Sequence, residues 1–481
     1  KDIIDLDQKI QLHQHGKIDE DGFRSLRLAR GIYGQRQQGV QMIRIKLPFG
    51  KLSSEQLHRI ADVSDEYSTG RLHITTRQDI QIHYVSLDRT PELWAELEKS
   101  DITLREACGN AVRNITASET AGIDPEEPFD VSPYADAVFK FFLRNPICQE
   151  LGRKFKISFS SSDQDSALSF IHDLGFIAKQ KLVDGQEVRG FKVMIAGGLG
   201  AQPRQADALF DFLETDKIIP FIESVLRVFD RHGERNRRAK ARLKHLILNI
   251  GLDKFLQFVE EEHKALSAQS VEIDIPANKI TNDVQTQVAD QVEIDNEFAY
   301  RNWKQSNVFN QKQVGFFAVG IKVRLGDFYT DKARKLADLI RDYAQDELRL
   351  TISQGILIRG IKEELLPFFY AKLSELGFAD VGYSSTLDVT SCPGTDTCNL
   401  GIASSTGLAR ELEKTLRDEF PMYVHNKDIS IKISGCMNAC GQHSIAQIGF
   451  YGMSIKKGAL VIPAFQVLLG GGPLGDGNGR F

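Results

Sequence analysis

The sequence predicts an α+β protein built by duplication, with two copies of one unit packed about a pseudo-twofold axis. Two observations carry that reading. Shifting the chain by 276 positions lays residues 33–83 on residues 309–359 without a gap, matching Gln35/Gln311, Gly39/Gly315, Lys46/Lys322, Tyr67/Tyr343, Thr75/Thr351, Gln78/Gln354 and Ile82/Ile358 among others. Within each copy, stretches of period-two alternation surround one stretch of helical periodicity.

In the first copy, residues 41–47 alternate as a strand. Ser53 opens a helix and Gln56, three residues on, completes a capping box. Leu57, Ile60 and Ala61 form the apolar stripe of that helix. Residues 72–75 and 80–83 read as two short strands. The second copy repeats the order, with Thr330, Ala333, Leu336, Ala337 and Ile340 on its helix. The same shift lays Phe155-Lys156-Ile157-Ser158 on Ile431-Lys432-Ile433-Ser434, which makes Ser160 and Thr116 the counterparts of Cys436 and Cys392. Between the halves, residues 268–298 hold one Lys against seven acidic residues and read as a solvated connector.

At 481 residues the chain is long enough for about three domains. Hydrophobic residues at 42% and charged residues at 26% exclude disorder, collagen and a disulfide-stapled miniprotein. A net charge of -5 argues against nucleic acid as the main ligand. No apolar run approaches the roughly 20 residues of a spanning helix, so no membrane partner is expected. The charged opening Lys1-Asp2-Ile3-Ile4-Asp5 is unlike a signal peptide, and the chain reads as cytoplasmic, where thiols stay reduced. The missing initial Met and the Gly-rich close read as a piece of a longer product.

Of six cysteines, Cys108 and Cys148 stand alone and read as buried small hydrophobes. The other four form two pairs, Cys392-x5-Cys398 and Cys436-x3-Cys440. Structural zinc sites usually space their pairs by two to four residues, so the five-residue gap favours a cubane iron–sulfur cluster over zinc. Residues 428–434 alternate as a strand that ends at Gly435, and the loop from Cys436 to Gly441 follows it. The glycines let backbone approach a bulky core, and Asn399 and Gln442 stand ready to donate to sulfur.

The copies differ where chemistry would lie. Arg44, Arg77, His83 and Arg113 in the first half face Gly320, Ser353, Arg359 and Val389 in the second. Further cations gather at Arg71, Arg153-Lys154-Phe155-Lys156 and Lys240. Alternation puts Arg44 with Lys46, and Lys154 with Lys156, on shared faces, where like charges repel unless an anion or solvent covers them. Beside an iron–sulfur cluster, such a set suits a polyanionic redox cofactor.

In these cysteine pairs, the duplication and Arg-Lys-Phe-Lys, the chain resembles the assimilatory sulfite and nitrite reductases, from about residue 31 to 477. That resemblance implies duplicated ferredoxin-like half-domains and two related α/β domains that hold sirohaem and a [4Fe–4S] cluster. The implied divisions are 1–85 with 300–365 for the paired half-domains, 86–299 for the first sirohaem domain with its acidic connector, and 366–481 for the cluster domain. It implies Cys392, Cys398, Cys436 and Cys440 as cluster ligands, with Cys440 also bonding the sirohaem iron. Arg44, Arg113, Lys154 and Lys156 become the substrate-binding cations. Arg71, Thr75, Arg77, Gln81, His83, Arg153 and Lys240 fall where the family contacts the macrocycle or its eight carboxylates.

The implied reaction is six-electron reduction of sulfite, or alternatively nitrite, with cations offsetting anionic charge and favouring its growth. In the family the second Lys of Lys-x-Lys tends to mark sulfite reductases, so Lys156 favours sulfite. Ala117 stands where some relatives have a Cys crosslinked to Tyr, and no such crosslink is expected. No Rossmann or flavin motif is evident, so a separate ferredoxin or flavoprotein is the expected electron donor. A non-catalytic zinc or iron–sulfur protein would explain the cysteines but leave the cations without a role.

Overall fold

The computed structural model describes residues 1–276 and 289–481. Both repeats fold as expected, each an antiparallel sheet backed by a helix. In the first, Val40–Ile45 pairs with Ile80–Ser86, which pairs in turn with Arg71–Ile74, and Ser54–Tyr67 is the helix. In the second, Phe316–Ile321, Ile356–Lys362 and Leu348–Leu350 form the sheet and Thr330–Tyr343 the helix. The capping box is present: Gln56 N donates to Ser53 Oγ, and Ser53 N donates to Gln56 Oε1, each at 3.3 Å. Leu57, Ile60 and Ala61 share one buried core with Ala333, Leu336, Ala337 and Ile340. Burying both stripes together is what makes the duplication a single body.

Each sheet also borrows a strand from the other half. Asp327–Tyr329 adds to the first sheet with Asp327 opposite His73, and Lys51–Leu52 adds to the second with Leu52 opposite Leu348. Two repeated glutamines secure the exchange. Gln78 and Gln354 are buried and left-handed, at φ 56 and 69. Gln78 Nε2 donates to Leu350 O and Ala117 O at 3.0 and 2.9 Å, while its Oε1 accepts from Ala117 N at 3.1 Å. Gln354 Nε2 donates to Ile74 O at 3.0 Å and its Oε1 accepts from Ser391 N at 2.9 Å. Gln78→Ala strands three backbone groups, at about 1–3 kcal/mol for each one buried unpaired. Chemical unfolding should therefore show a loss of roughly 3 kcal/mol or more.

Each half continues into a lobe built on a mixed sheet. In the first, Thr116–Ala117, Ile157–Ser160 and Leu174–Val183 run parallel, and Gln186–Ile195 and Asp207–Glu214 add antiparallel. In the second, Thr390–Ser391, Ile431–Ser434 and Ile448–Lys457 run parallel and Leu460–Leu469 returns.

Here the expected register needs correcting. Ile157 pairs with Leu174 as Ile431 pairs with Ile448, so the lobes repeat at an offset of 274, two fewer than the half-domains. A shorter link ahead of the second lobe removes two residues. The three identities of Phe-Lys-Ile-Ser with Ile-Lys-Ile-Ser mask that slip, because local similarity does not report strand pairing. Ser118 and Ser162, not Thr116 and Ser160, thus correspond to Cys392 and Cys436, and Leu387 rather than Val389 stands at the offset from Arg113.

The middle of the acidic connector, residues 277–288, lies outside the described residues. Ahead of it, Val271 N donates to Asp216 O at 2.8 Å and Val271 and Ile273 pack on the first lobe. Behind it, Ala289 and Val292 pack on the half-domain core. Among the described residues no helix is long and apolar enough to cross a membrane.

Candidate active site

Two joined cavities, of about 970 and 110 Å³, lie where the first half meets the cysteine-bearing lobe. Arg44, Gln81, Arg113, Lys154, Cys392 and Cys440 line both. His83, Arg153, Cys398 and Cys436 line only the larger; Thr75, Arg77 and Lys156 line only the smaller. Thirteen of the fifteen residues given a role above thus line the cavities, all four paired cysteines among them.

 Arg71 and Lys240 are the two outside, and Gln442 also lines the smaller cavity. Arg71 instead pairs with Asp327 at 3.7 Å, and Lys240 donates to Gln202 Oε1 at 3.1 Å on the exposed surface. Arg235 and Arg238 of the same segment reach the larger cavity in its place.

Strand pairing sets Arg44 opposite Gln81. With its amide turned so that the oxygen faces the guanidinium, Gln81 accepts from Arg44 Nε at 3.2 Å. Lys46 does not share the cavity face with Arg44. The strand ends at Ile45, and the buried Lys46 ammonium turns to Val112 O at 3.2 Å and Glu106 at 3.4 Å. Lys154 and Lys156 do share a face, as their alternation predicts. Burial, and Arg113 nearby, bring Lys154 down to about 7. Burial and Lys154 hold Lys156 well below the ordinary range.

Two supporting residues escaped sequence reasoning. His172 lines the smaller cavity, its Nδ1 2.7 Å from Leu168 O and its Nε2 2.5 Å from Arg77 Nη1. A proton on Nδ1 satisfies both contacts and leaves Nε2 to accept from Arg77. Arg242 grips Asp173 through two hydrogen bonds of 3.1 and 2.8 Å, and Asp173 in turn accepts from Lys156 N at 2.8 Å. Neither has a sequence signal beyond its place after the Lys-x-Lys strand.

The four thiols surround the wall of the larger cavity. Among the described residues no three His, Cys, Asp or Glu side chains stand together as a group that could hold one metal ion. Gly435 N donates to Cys392 Sγ at 3.2 Å, Leu400 N to Cys398 Sγ at 3.4 Å and Asn438 Nδ2 to Cys436 Sγ at 3.5 Å. Among the described residues neither Asn399 nor Gln442 donates to a cysteine sulfur: Asn399 Nδ2 donates to Gly34 O at 2.8 Å, and Gln442 Oε1 accepts from Lys432 at 3.1 Å. The glycines serve loop packing: a Cβ on Gly435 would meet Gly394 Cα at 2.6 Å. Burial, with Cys440 close by, pushes the Cys392 thiol up to about 12, so loading a metal must release protons.

The sister lobe is closed at the corresponding place. At the offset of 274 the four cysteines become Ser118, Asp124, Ser162 and Ser166. Ser118 and Ser166 share a hydrogen bond of 2.6 Å, and Ser162 donates to Asp124 at 3.2 Å. Where the first half has Arg44, the second has Gly320, and a Cβ there would strike the Tyr383 ring at 2.4 Å. Side chains therefore fill the space that the first half leaves open.

The lining chemistry fits a polyanion beside a cluster. The smaller cavity sets five Arg and Lys side chains against one carboxylate, Asp79. Unpaired, buried cations repel one another, and anionic oxygens relieve that repulsion.

Comparison with known proteins gives the same picture. A family model for the nitrite and sulphite reductase 4Fe-4S domain matches residues 108–266 and 382–479. One for the nitrite/sulfite reductase ferredoxin-like half domain matches residues 33–100 and 309–376. An assimilatory ferredoxin-dependent nitrite reductase of Haloferax mediterranei is 29% identical over 93% of this chain and 76% of its own length. A sulfite reductase [ferredoxin] of Mycolicibacterium paratuberculosis is 28% identical over 96% and 82%. The solved NirA protein of Mycobacterium tuberculosis superimposes with a TM-score of 0.79 at 26% identity, over 98% of this chain and 88% of that one.

Proposed function

The chain belongs to the nitrite and sulphite reductase family, and on that premise we propose that it reduces sulfite to sulfide at a sirohaem coupled to a [4Fe–4S] cluster. The observation that carries the reading is a pair of cavities that share Arg44, Arg113, Lys154, Cys392 and Cys440 and together bring all four thiols and Lys156 to their walls. When bound, the two groups supply six electrons singly and an iron at which the central atom of the anion is held.

The chain's own residues do the rest. Cys392, Cys398, Cys436 and Cys440 would hold the cluster, and Cys440, on the wall common to both cavities, would also serve the haem iron. Arg77, Arg153 and the arginines around the larger cavity pair the carboxylates of the macrocycle. Arg44, Arg113, Lys154 and Lys156 bind the oxyanion, orient it and offset charge as electrons arrive. Lys154 and Lys156 lose their protons readily because burial disfavours their charge, which equips them to protonate departing oxygen. A ferredoxin-class protein supplies the electrons, in keeping with the names of the relatives.

Nitrite reduction to ammonia is the second reading, because relatives of both names match at similar identity. Sulfite carries up to two negative charges and nitrite one, so Lys156 favours sulfite. With reduced methyl viologen as donor, Lys156→Asn should lower sulfite turnover more than nitrite turnover. Equal losses would remove Lys156 as the discriminator. Anaerobically purified protein should show a Soret band with a red-shifted visible band; colourless protein would end the proposal.

A further inference from the structure

Among the described residues Asp79 is the one carboxylate on the wall of the smaller cavity, beside five Arg and Lys side chains. It is 1% exposed. Oδ2 lies 3.9 Å from Arg44 Nη1, and Oδ1 is buried with no hydrogen-bond partner. The backbone keeps the side chain in place: the Asp79 carbonyl accepts from Thr75 N at 2.9 Å, closing the turn that also carries Arg77. Arg44 is thus held from two sides, at Nε by Gln81 and at Nη1 by Asp79.

A buried negative charge is out of place in a pocket built for anions unless it has a task. We propose that Asp79 is a positioning residue that aims Arg44 into the cavity and, through its own ionisation, sets how strongly the cavity holds an anion. This rests on the function proposed above. The charged groups around Asp79 are Arg44 and Lys46 from the adjoining strand, Arg77 from its own turn and Arg113 from the segment before the first lobe. Lys154 and Lys156 share the cavity. Burial outweighs the four nearest cations and raises the Asp79 carboxyl to about 6. Below that pH the group is neutral and the cavity at its most cationic; above it, the carboxylate opposes an incoming anion.

The test is nitrite binding to the holoenzyme, followed by the optical shift of the haem, in wild type and Asp79→Asn across a pH range spanning about 6. Nitrite stays a monoanion over that range. Wild-type affinity should fall as pH rises, while the ratio of the two dissociation constants grows to roughly tenfold in favour of Asn at the alkaline end. Lys154 titrates in both proteins and cancels from the ratio. Turnover should show a lower KM in the variant without a matching gain in kcat. A ratio that stays constant with pH, or weaker binding by the variant at every pH, overturns the inference. Should the Asn variant not take up haem, Asp79→Glu decides: it should keep the wild-type decline in affinity, and a flat profile there overturns the inference too. Wild-type holoenzyme that binds neither nitrite nor sulfite would instead defeat the function on which this rests.

Discussion

Replacing Cys440 by serine is expected to abolish sulfite and nitrite turnover to background and to disturb the EPR signals of cluster and haem together. Cys440 and Cys392 are the two thiols on both cavities, and Cys440 is the more exposed of them. Its loop is fixed from across the interface, where Thr76 Oγ1 donates to Cys440 O at 2.8 Å. A serine hydroxyl keeps that backbone contact but holds its proton far more tightly than a thiol, and iron ligation needs the deprotonated form. Cys398→Ser supplies the contrast. Cys398 lines only the larger cavity, so its loss should damage the cluster signal more than the haem signal. A Cys440→Ser protein with an unaltered haem spectrum would rule out the shared thiolate.

The second large effect has opposite signs in two assays. Lys154→Met should lower kcat/KM by roughly a hundredfold to a thousandfold, as loss of a charge-stabilising group typically does. The same change should stabilise the protein freed of its prosthetic groups. Burial brings the Lys154 ammonium down to about 7 from its ordinary 10.5, so the folded state disfavours its charge. Below about 7 the group is charged whether folded or unfolded, and the penalty is complete. As pH rises towards 10.5 the penalty fades. Cys392, raised from 9.0 to about 12, works the other way and withdraws stability once pH passes 9.0. Between about 7 and 9.0 the cofactor-free wild type should therefore gain stability with pH, and Lys154→Met should flatten that slope. Thermal melts at several pH values measure both; a steeper slope in the variant would contradict the assignment.

The half-domains were legible because duplication wrote them twice. Ser53 with Gln56, and the stripe of Leu57, Ile60 and Ala61, are local signals that the fold had no reason to override. The lobes were legible as strands but not in register. Nothing local distinguishes Lys156 as the partner of Lys432 from Ser158 as that partner; only the pairing of Ile157 with Leu174 decides. The same limit runs through the site. Cysteine spacing survives in one dimension, so all four thiols could be named. Asp79, His172 and Arg242 could not, because their roles come from what stands opposite them: Arg44, Arg77 and Asp173. Lys46 and Lys240 show the converse, cations whose neighbours in sequence line the cavity while they turn to Glu106 and Gln202.

The traded strands set a timetable for the nascent chain. Arg71–Ile74 has its hydrogen-bonding edge bare until Asp327–Tyr329 leaves the ribosome, more than two hundred residues later. At about 5–20 residues per second that wait lasts on the order of tens of seconds. An open edge of this kind recruits stray strands, so the growing polypeptide needs protection throughout the interval. Cutting the gene between its repeats would make the wait permanent for both fragments, and neither should be recovered alone in soluble form.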